Sequence, residues 1–555
     1  MSTLLPLSAM IPTRLLLLLA LLPICLCQSL QGVLIDCGAD VGSVINGLEW
    51  LPDSGYISAG SSKVIAREDL VQTLFTVRSF PLSNNVFKKF CYEIPVDGTK
   101  KYLVRTTYYY GGVNGNTNPP VFDQIVDGTL WRVVNTTEDY LRREASYYEG
   151  VFMPTGKNLS VCVAGNTYTD SDPFISALEV VPLWDQLYNS TDFRAHALSL
   201  VARHSFGYDG PVFGYPDDQF NRYWQPFGAD AFPLSNPQDL AVSGIWNLPP
   251  QKVFHTRLSK SLVEPLTLNW PPGPLPGGVN YSIALYFADD HASDSNNSRA
   301  MDITINSVPY YRNLIRTPVG LVVFSSQWPL AGITNLTLTP APGSTAGPLI
   351  NAGEVYQVIP SGGKTLARDV IAMIDLRNHF HNAPADWSGD PCLPSRYTWT
   401  GVTCSYGPRI RILSLNLTSM GLVGLISPRI SRLTALSSIL LGNNSLSGTI
   451  PDLSSLKAVQ NLWNHSSVFG ELAEPTRSVS LNPTNVLISL EILEQNLILV
   501  FVAQLLAEQQ SNGSSSAQSK RKRRIGTEVH AGESFADSAT MRSSLHQHSP
   551  GRKLR

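Results

Sequence analysis

Residues 386–404, DWSGDPCLPSRYTWTGVTC, run straight into two copies of one leucine-spaced pattern, GLVGLI at 421–426 and SLSGTI at 445–450. Leu422, Gly424 and Ile426 recur as Leu446, Gly448 and Ile450, a shift of 24 residues that also carries Leu417 onto Leu441. A unit this short supplies one strand and one turn and cannot bury its own apolar edge, so the units must stack into a solenoid closed by an atypical cap. Cys392 and Cys404 stand where that cap belongs. A disulfide between them would close a loop of about a dozen residues and stabilise the terminal unit by roughly 3 kcal/mol.

The rest of the chain is long enough for several further domains. Its 555 residues are 43% hydrophobic, which supports packed cores, and the net charge of −2 leaves no overall nucleic-acid footprint. Arg14 followed by LLLLLALLPICLC reads as a secretory signal over residues 1–27, too short to span a bilayer comfortably. Cleavage near Gln28 would leave Cys37, Cys91, Cys162, Cys392 and Cys404, an odd set in an oxidising compartment, with the pairing of Cys37, Cys91 and Cys162 open. Sequons at Asn135, Asn158, Asn189, Asn280, Asn296, Asn335, Asn416, Asn443, Asn464 and Asn512 fit an exported, glycosylated chain, extracellular or associated with the plasma membrane.

From Gly32 to Ile359 short apolar or alternating runs are separated by turn residues, among them KYLVRTTYYY, LSVCVAG, FISALEVV, YSIALYFA, MDITINSV and TNLTLTP. β-Branched and aromatic enrichment at this spacing predicts a mainly β fold built of sandwiches. The region also repeats itself. KYLVRTTYYY, FDQIVDGTLWRVV and FISALEVVPL are matched in order by YSIALYFADD, MDITINSVPYYR and LINAGEVYQVIP, each set closing on a strand with an acidic residue near its end. Two tandem β-sandwiches, at 28–182 and 199–360, are the economical reading. They are followed by a linker helix and cap at 364–404, repeats at 405–463 (two full, one truncated), and an atypical tail at 464–555.

WSGDPC, WTGVTC and the LxGxIP turn resemble the plant leucine-rich-repeat family, cap included. LIDCGAD, GLEWLPDSGYISAG, RSFPLSNNVFKKFCYEIP, YLVRTTYYYGG, FGYPDDQFNRYWQP and LINAGEVYQVIP, in that order, resemble the plant malectin-like domain. Together they are similar to plant malectin-like, leucine-rich-repeat receptor-like proteins. The resemblance implies a tandem of malectin-type β-sandwiches related to an animal module that binds diglucose, with a cell-wall glycan or glycosylated protein as partner and receptor kinases contacted through the repeats. The chain departs from the family pattern at Asn221, Tyr223 and Gly353.

Sugar recognition needs flat aromatic faces beside planar polar groups. Tyr108, Tyr109 and Tyr110 end a strand and run into GGVNGNTNPP; alternation sends Tyr108 and Tyr110 one way and Tyr109 the other. The resemblance to animal malectin favours Tyr109 and Tyr110 as sugar contacts. Asp53 and Tyr56 are further candidates, although an Asp-Ser-Gly turn explains them equally well. Phe287, Asp289 and Asp290 end the equivalent strand and read as packing. Asp217 and Asp218 are adjacent on an extended segment and point apart, so they read as turn residues, not as a hydrolytic pair. The 10 histidines show no metal-ligand spacing, and neither a GxSxG elbow nor a glycine-rich phosphate loop is present. No cofactor, metal, catalysis or kinase segment after the repeats is expected.

After Trp463 the leucine ladder fails, as in an alternative splice form or a misread gene. LISLEILEQNLILVFVAQLLA at 487–507 is interrupted by Glu491, Glu494, Gln495 and Asn496 and predicts an amphipathic helix instead of a membrane span. The remainder, with KRKRR at 520–524, reads as disordered. The favoured function is non-enzymatic extracellular recognition of carbohydrate. The competing one is a protein–protein scaffold or co-receptor that binds peptides or receptor kinases and has lost sugar binding.

Overall fold

The computed structural model describes residues 32–462, except 66, 68, 83–85, 116–117, 229–232, 236–239, 241, 243, 261–263, 290–298 and 316–318. The signal segment, the sequons at Asn296, Asn464 and Asn512, Asp290, the 487–507 run and the tail lie outside the described residues. No helix among the described residues is long and apolar enough to cross a membrane.

The strand Lys101–Tyr108 is buried along its whole length. Its alternation decides which residue meets which layer. Tyr102, Val104 and Tyr108 enter one core with Phe122, Trp131 and Phe174, while Leu103 enters another with Val151, Val181, Leu198 and Tyr356. The strand is thus central to a sheet covered on both faces, which is why even its polar residues Lys101, Arg105, Thr106 and Thr107 are buried.

That sheet is the spine of the molecule. In order it contains Ser43–Ile45, Leu48–Pro52, Val33–Asp36, Ala177–Leu183, Lys101–Tyr108, Ser146–Phe152, His196–Phe206, Ala352–Pro360, Leu275–Phe287 and Leu321–Gly332, with Gln225–Phe227 added beside His196–Phe206. The two sandwiches are joined more tightly than a tandem reading implies. The pairing of Gly150 with Ser199 and Val151 with Leu198 makes their large sheets continuous.

Against this spine each half packs the same two smaller sheets. The first half has Lys89–Pro95, Asn158–Gly165, Phe122–Val126 and Thr129–Val134, plus Phe174–Ile175, Thr76–Ser79 and Ser61–Val64. The second has Leu266–Asn269, Asn335–Pro340, Ala300–Ile305 and Val308–Ile315, plus Leu349–Ile350, Thr256–Ser259 and Pro233–Ser235. The internal repeat read from the sequence is this duplicated layer set.

The helix Ala367–His379 buries Asp369, Ala372, Met373 and Leu376, one face at helical spacing. It packs into a core shared with Trp387, Trp399, Leu415, Leu417, Ile439 and Leu441. Cys392 and Cys404 are bonded, and the Trp387 and Trp399 rings stack with centroids 5.2 Å apart. The repeats form a parallel ladder in which Ser414 and Leu415 face Ser438 and Ile439. Asn444 holds the turns, its amide donating to the carbonyls of Leu417 (2.8 Å) and Leu441 (2.9 Å).

Although it follows the second sandwich in sequence, the cap docks on the first. The Cys91–Cys162 disulfide joins facing residues of the Lys89–Pro95 and Asn158–Gly165 strands, and Gly389 of the cap lies over it. Cys37 is the odd thiol, free and buried. Gly389 has φ +66, and a Cβ there would come within 2.8 Å of Cys91 Sγ, so both conformation and space require glycine. The Cys91 N–H donates to Ser388 Oγ at 3.0 Å, and the Tyr397 hydroxyl to Asp123 at 2.5 Å. Arg377 pairs with Glu93 at 3.2 Å. Lys89 donates to the carbonyls of Asp390 and Leu393, and burial lowers its amine to about 8.

Candidate functional site

Where the two sandwiches meet, a row of charges crosses the sheet. Arg105 faces Glu179 on one neighbouring strand and Glu149 on the other, and Arg203 faces Glu354. Arg105 reaches Glu149 and Glu179 at 2.8 Å each, and Arg203 reaches Glu149 at 2.7 Å and Glu354 at 2.6 Å. Their side chains are 0–2% exposed, so the row is sealed from water. A register shift between Leu200 and Ala202 makes it possible: the bulge reverses the alternation and brings Arg203 onto the face that already carries Leu200 and Glu354.

The segment 218–224 closes over the row. Asn221 donates to Glu179 at 2.7 Å, and the Tyr223 ring lies over the Arg105 guanidinium at 3.4 Å. The departures at these two positions therefore sit on the network itself. Gly353 leaves room for Trp270, whose ring would lie 2.6 Å from an added Cβ. Burial pushes both carboxyls upward. For Glu149 the two flanking arginines overcome burial and hold the group below its usual value, whereas Glu179, facing Arg105 alone, stays raised. The network ties neighbouring strands together across the junction, and its charged side chains are not open to solvent.

The tyrosines singled out in the sequence do not form a platform. Tyr108, Tyr109 and Tyr110 are 0%, 4% and 2% exposed. Tyr108 packs edge-on against Phe122 and Phe174, Tyr110 against Tyr140, and the Tyr109 hydroxyl bonds with Arg67. The three rings are therefore taken up by packing. Burial pushes the Tyr110 hydroxyl up to about 12. Asp53 is likewise internal, 0% exposed. It accepts from Arg78 at 2.9 Å, the Gly38 N–H at 2.8 Å and the Tyr92 hydroxyl at 3.1 Å, while Tyr56 is half-buried beside this core.

The second-half counterparts also pack. Phe287 is in the core, and Asp289 is buried 3.0 Å from Arg299. Asp218 accepts from Arg222 and from the Trp224 indole, both at 2.9 Å, and Asp217 pairs with Lys252 at 2.7 Å on the surface. Among the described residues no group of His, Cys, Asp or Glu could hold a metal ion.

One open cavity among the described residues, of about 330 Å³, lies beside that surface pair, lined by Asp217, Gln219, Val242, Ile245, Leu248 and Pro249 among others. Gln251 fixes one wall by donating to the Leu240 carbonyl and accepting from the Val242 N–H. A lining that mixes Val242, Ile245 and Leu248 with the carboxylates of Asp217 and Asp218 and the amides of Gln219 and Gln251 suits a peptide side chain. The ionic row and this cavity escaped the sequence reading. The signal for the first is present as charges inside strands, among them Glu179 and Glu354, the acidic residues of the two closing strands FISALEVVPL and LINAGEVYQVIP.

A family profile described as the malectin-like domain matches residues 35–358, and one for the leucine-rich-repeat N-terminal domain matches 366–405. The chain is 31% identical over 437 residues to the leucine-rich repeat receptor-like serine/threonine-protein kinase At2g14510 of Arabidopsis thaliana, covering 74% of this chain and 48% of that protein. It is 29% identical over 423 residues to the probable LRR receptor-like serine/threonine-protein kinase PAM74 of the same plant, covering 72% and 46%. The chain thus spans about half the length of the curated relatives it matches. Among solved structures, the Arabidopsis thaliana ANX2 ectodomain is similar with a TM-score of 0.49 at 16% identity, over 59% of this chain and 97% of that one. With its profile matched across more than half its length and a leucine-rich-repeat cap behind it, the chain belongs to the malectin-like domain family, in the arrangement it shares with plant leucine-rich-repeat receptor-like kinases.

Proposed function

We propose that the chain is a non-catalytic extracellular recognition region of a receptor-like protein and that its partner is a peptide or protein, not a sugar. The observation that carries this reading is the contrast between the buried Tyr108–Tyr110 run and the open cavity of mixed polar and aliphatic lining at Asp217, Val242 and Leu248. Rings in a core offer no face to a pyranose, whereas the cavity offers aliphatic contacts from Val242, Ile245 and Leu248 beside carboxylate and amide groups, as a peptide side chain and its backbone need. The cap seam adds to this, because repeats fastened to the first sandwich present one surface with it and a protein partner can span both.

The intact secreted chain, probed in parallel against a cell-wall oligosaccharide array and a library of extracellular peptides, tests this. Saturable peptide capture that Val242→Trp abolishes by filling the cavity is the expected result. Saturable oligosaccharide binding that survives Val242→Trp would overturn it and restore the carbohydrate reading.

A further inference from the structure

Asn189 opens the sequon Asn189-Ser190-Thr191 on the connection between the Ala177–Leu183 and His196–Phe206 strands. Its side chain is exposed, and its Oδ1 accepts the indole N–H of Trp246 at 2.7 Å. The half-buried Trp246 ring lies nearly parallel to that of Phe324, with centroids 4.0 Å apart and planes 15° apart, and Phe324 is 44% exposed. An acceptor asparagine thus touches an aromatic pair that the fold leaves open to solvent. Other sequons are arranged differently: Asn135 turns its Oδ1 to the N–H and hydroxyl of Thr137, and Asn416 to the N–H of Thr418.

The sequon hydroxyls do little for the fold. Ser190 Oγ and Thr191 Oγ1 are buried and make no hydrogen bond among the described residues. Neither hydroxyl therefore adds a protein hydrogen bond to the folded connection. A threonine two residues after an asparagine has a use before folding, as part of the acceptor for N-linked glycosylation.

We propose that Asn189 carries an N-linked glycan whose first N-acetylglucosamine packs on the Trp246–Phe324 pair, fastening the connection between the sandwiches to the 244–251 segment and the Leu321–Gly332 strand. The donor is an oligosaccharide carried on a lipid pyrophosphate. The bond from sugar C1 to Nδ2 forms as the bond from C1 to the pyrophosphate oxygen breaks; the pyrophosphate leaves with the electron pair, and the amide gives up one proton. Oδ1 is untouched and still accepts from the Trp246 indole, so the sugar starts out beside the ring. The C–H face of a pyranose and its acetyl methyl group complement such a surface. This inference rests on the extracellular part of the proposed function and not on the identity of the partner.

The test uses the full chain secreted by a glycosylating host and, separately, made in an oxidising bacterial compartment that adds no glycan. Glycopeptide mass spectrometry should find Asn189 occupied. Thr191→Val keeps the side-chain shape and removes the sequon; it should lower Tm by about 2–4 °C in the glycosylated protein and leave Tm unchanged or slightly higher in the bacterial one. In a Trp246→Leu background the effect of Thr191→Val should vanish. An unoccupied Asn189 in a chain glycosylated at Asn135 or Asn443 overturns this inference alone, and so does a Thr191→Val shift that is equal in the two hosts. A secreted chain with no glycan at any sequon overturns the extracellular reading with it.

Discussion

The junction between the two sandwiches and the seam between the first sandwich and the repeat cap do the same job by different physics. At the junction the backbone ladder is continuous, and above it Arg105, Glu149, Arg203, Glu179 and Glu354 alternate in sign with no access to water. Among the described residues no strand crosses the seam. The cap is held by a glycine laid on the Cys91–Cys162 disulfide, by a buried lysine shared between carbonyls, and by the pairs Tyr397–Asp123 and Arg377–Glu93. In this buried charge row every arginine is shared between two carboxylates, and losing one leaves its partners uncompensated. A seam of local contacts loses them one at a time. The junction should therefore fail all at once, and the seam should loosen by degrees.

The largest effect should come from Arg105→Met, which fills the same space but leaves Glu179 without its cation. We expect a loss of about 3–5 kcal/mol, seen as one cooperative shift of denaturant midpoint for both sandwiches. Separate transitions for the halves, or a loss below about 1 kcal/mol, would break the comparison at its first term. Cys392→Ser should cost about 3 kcal/mol in the cap and repeats, with the sandwiches little affected because a solenoid unit contacts mainly its neighbours. Thermal unfolding followed by proteolytic mapping checks it, and equal destabilisation of both parts would count against the seam as a boundary.

Gly389→Ala brings a methyl group against Cys91 Sγ at a left-handed backbone position. A cost of about 1–3 kcal/mol is expected, with faster protease cleavage near residues 361–366 and an unchanged sandwich transition.

The smallest effect is the pH response of Lys89. Burial lowers its amine from 10.5 to about 8, with Asp390 and Asp386 opposing the shift. Between about 8 and 10.5 the unfolded chain holds a proton that the folded one lacks, so stability rises with pH across that window; below about 8 both states are protonated and the penalty of burying the cation is felt in full. Urea midpoints of the wild type and Lys89→Met, compared at pH 7.5, 9 and 10 so that other titrations cancel, should diverge upward for the wild type. Parallel curves would mean the amine is solvated at the seam.

Much of the architecture was legible in the chain itself, and the legible parts share a cause. The step from Leu422 to Leu446, the alternation in KYLVRTTY and the duplicated order of strands are local patterns; stacking and pleating turn them directly into a solenoid and a double set of sheets. The pair Cys392–Cys404 belonged to the same class, two positions in one short loop. Residues whose meaning depends on a distant partner were another matter. Tyr109 reads as an exposed strand end until Arg67 and the neighbouring loops are laid over it, and Asp53 reads as a turn until Arg78 and Tyr92 arrive from other strands. Arg203 reaches Glu354 only because a bulge after Leu200 reverses the facing of its strand, and a single extra residue of this kind leaves little trace in the pattern of side chains. The docking of the cap on the first sandwich, past the second that precedes it, is a non-local contact of the same kind. Composition and spacing determined which elements form, while register and long-range closure, set by the whole packed molecule, decided which side chains were left facing water.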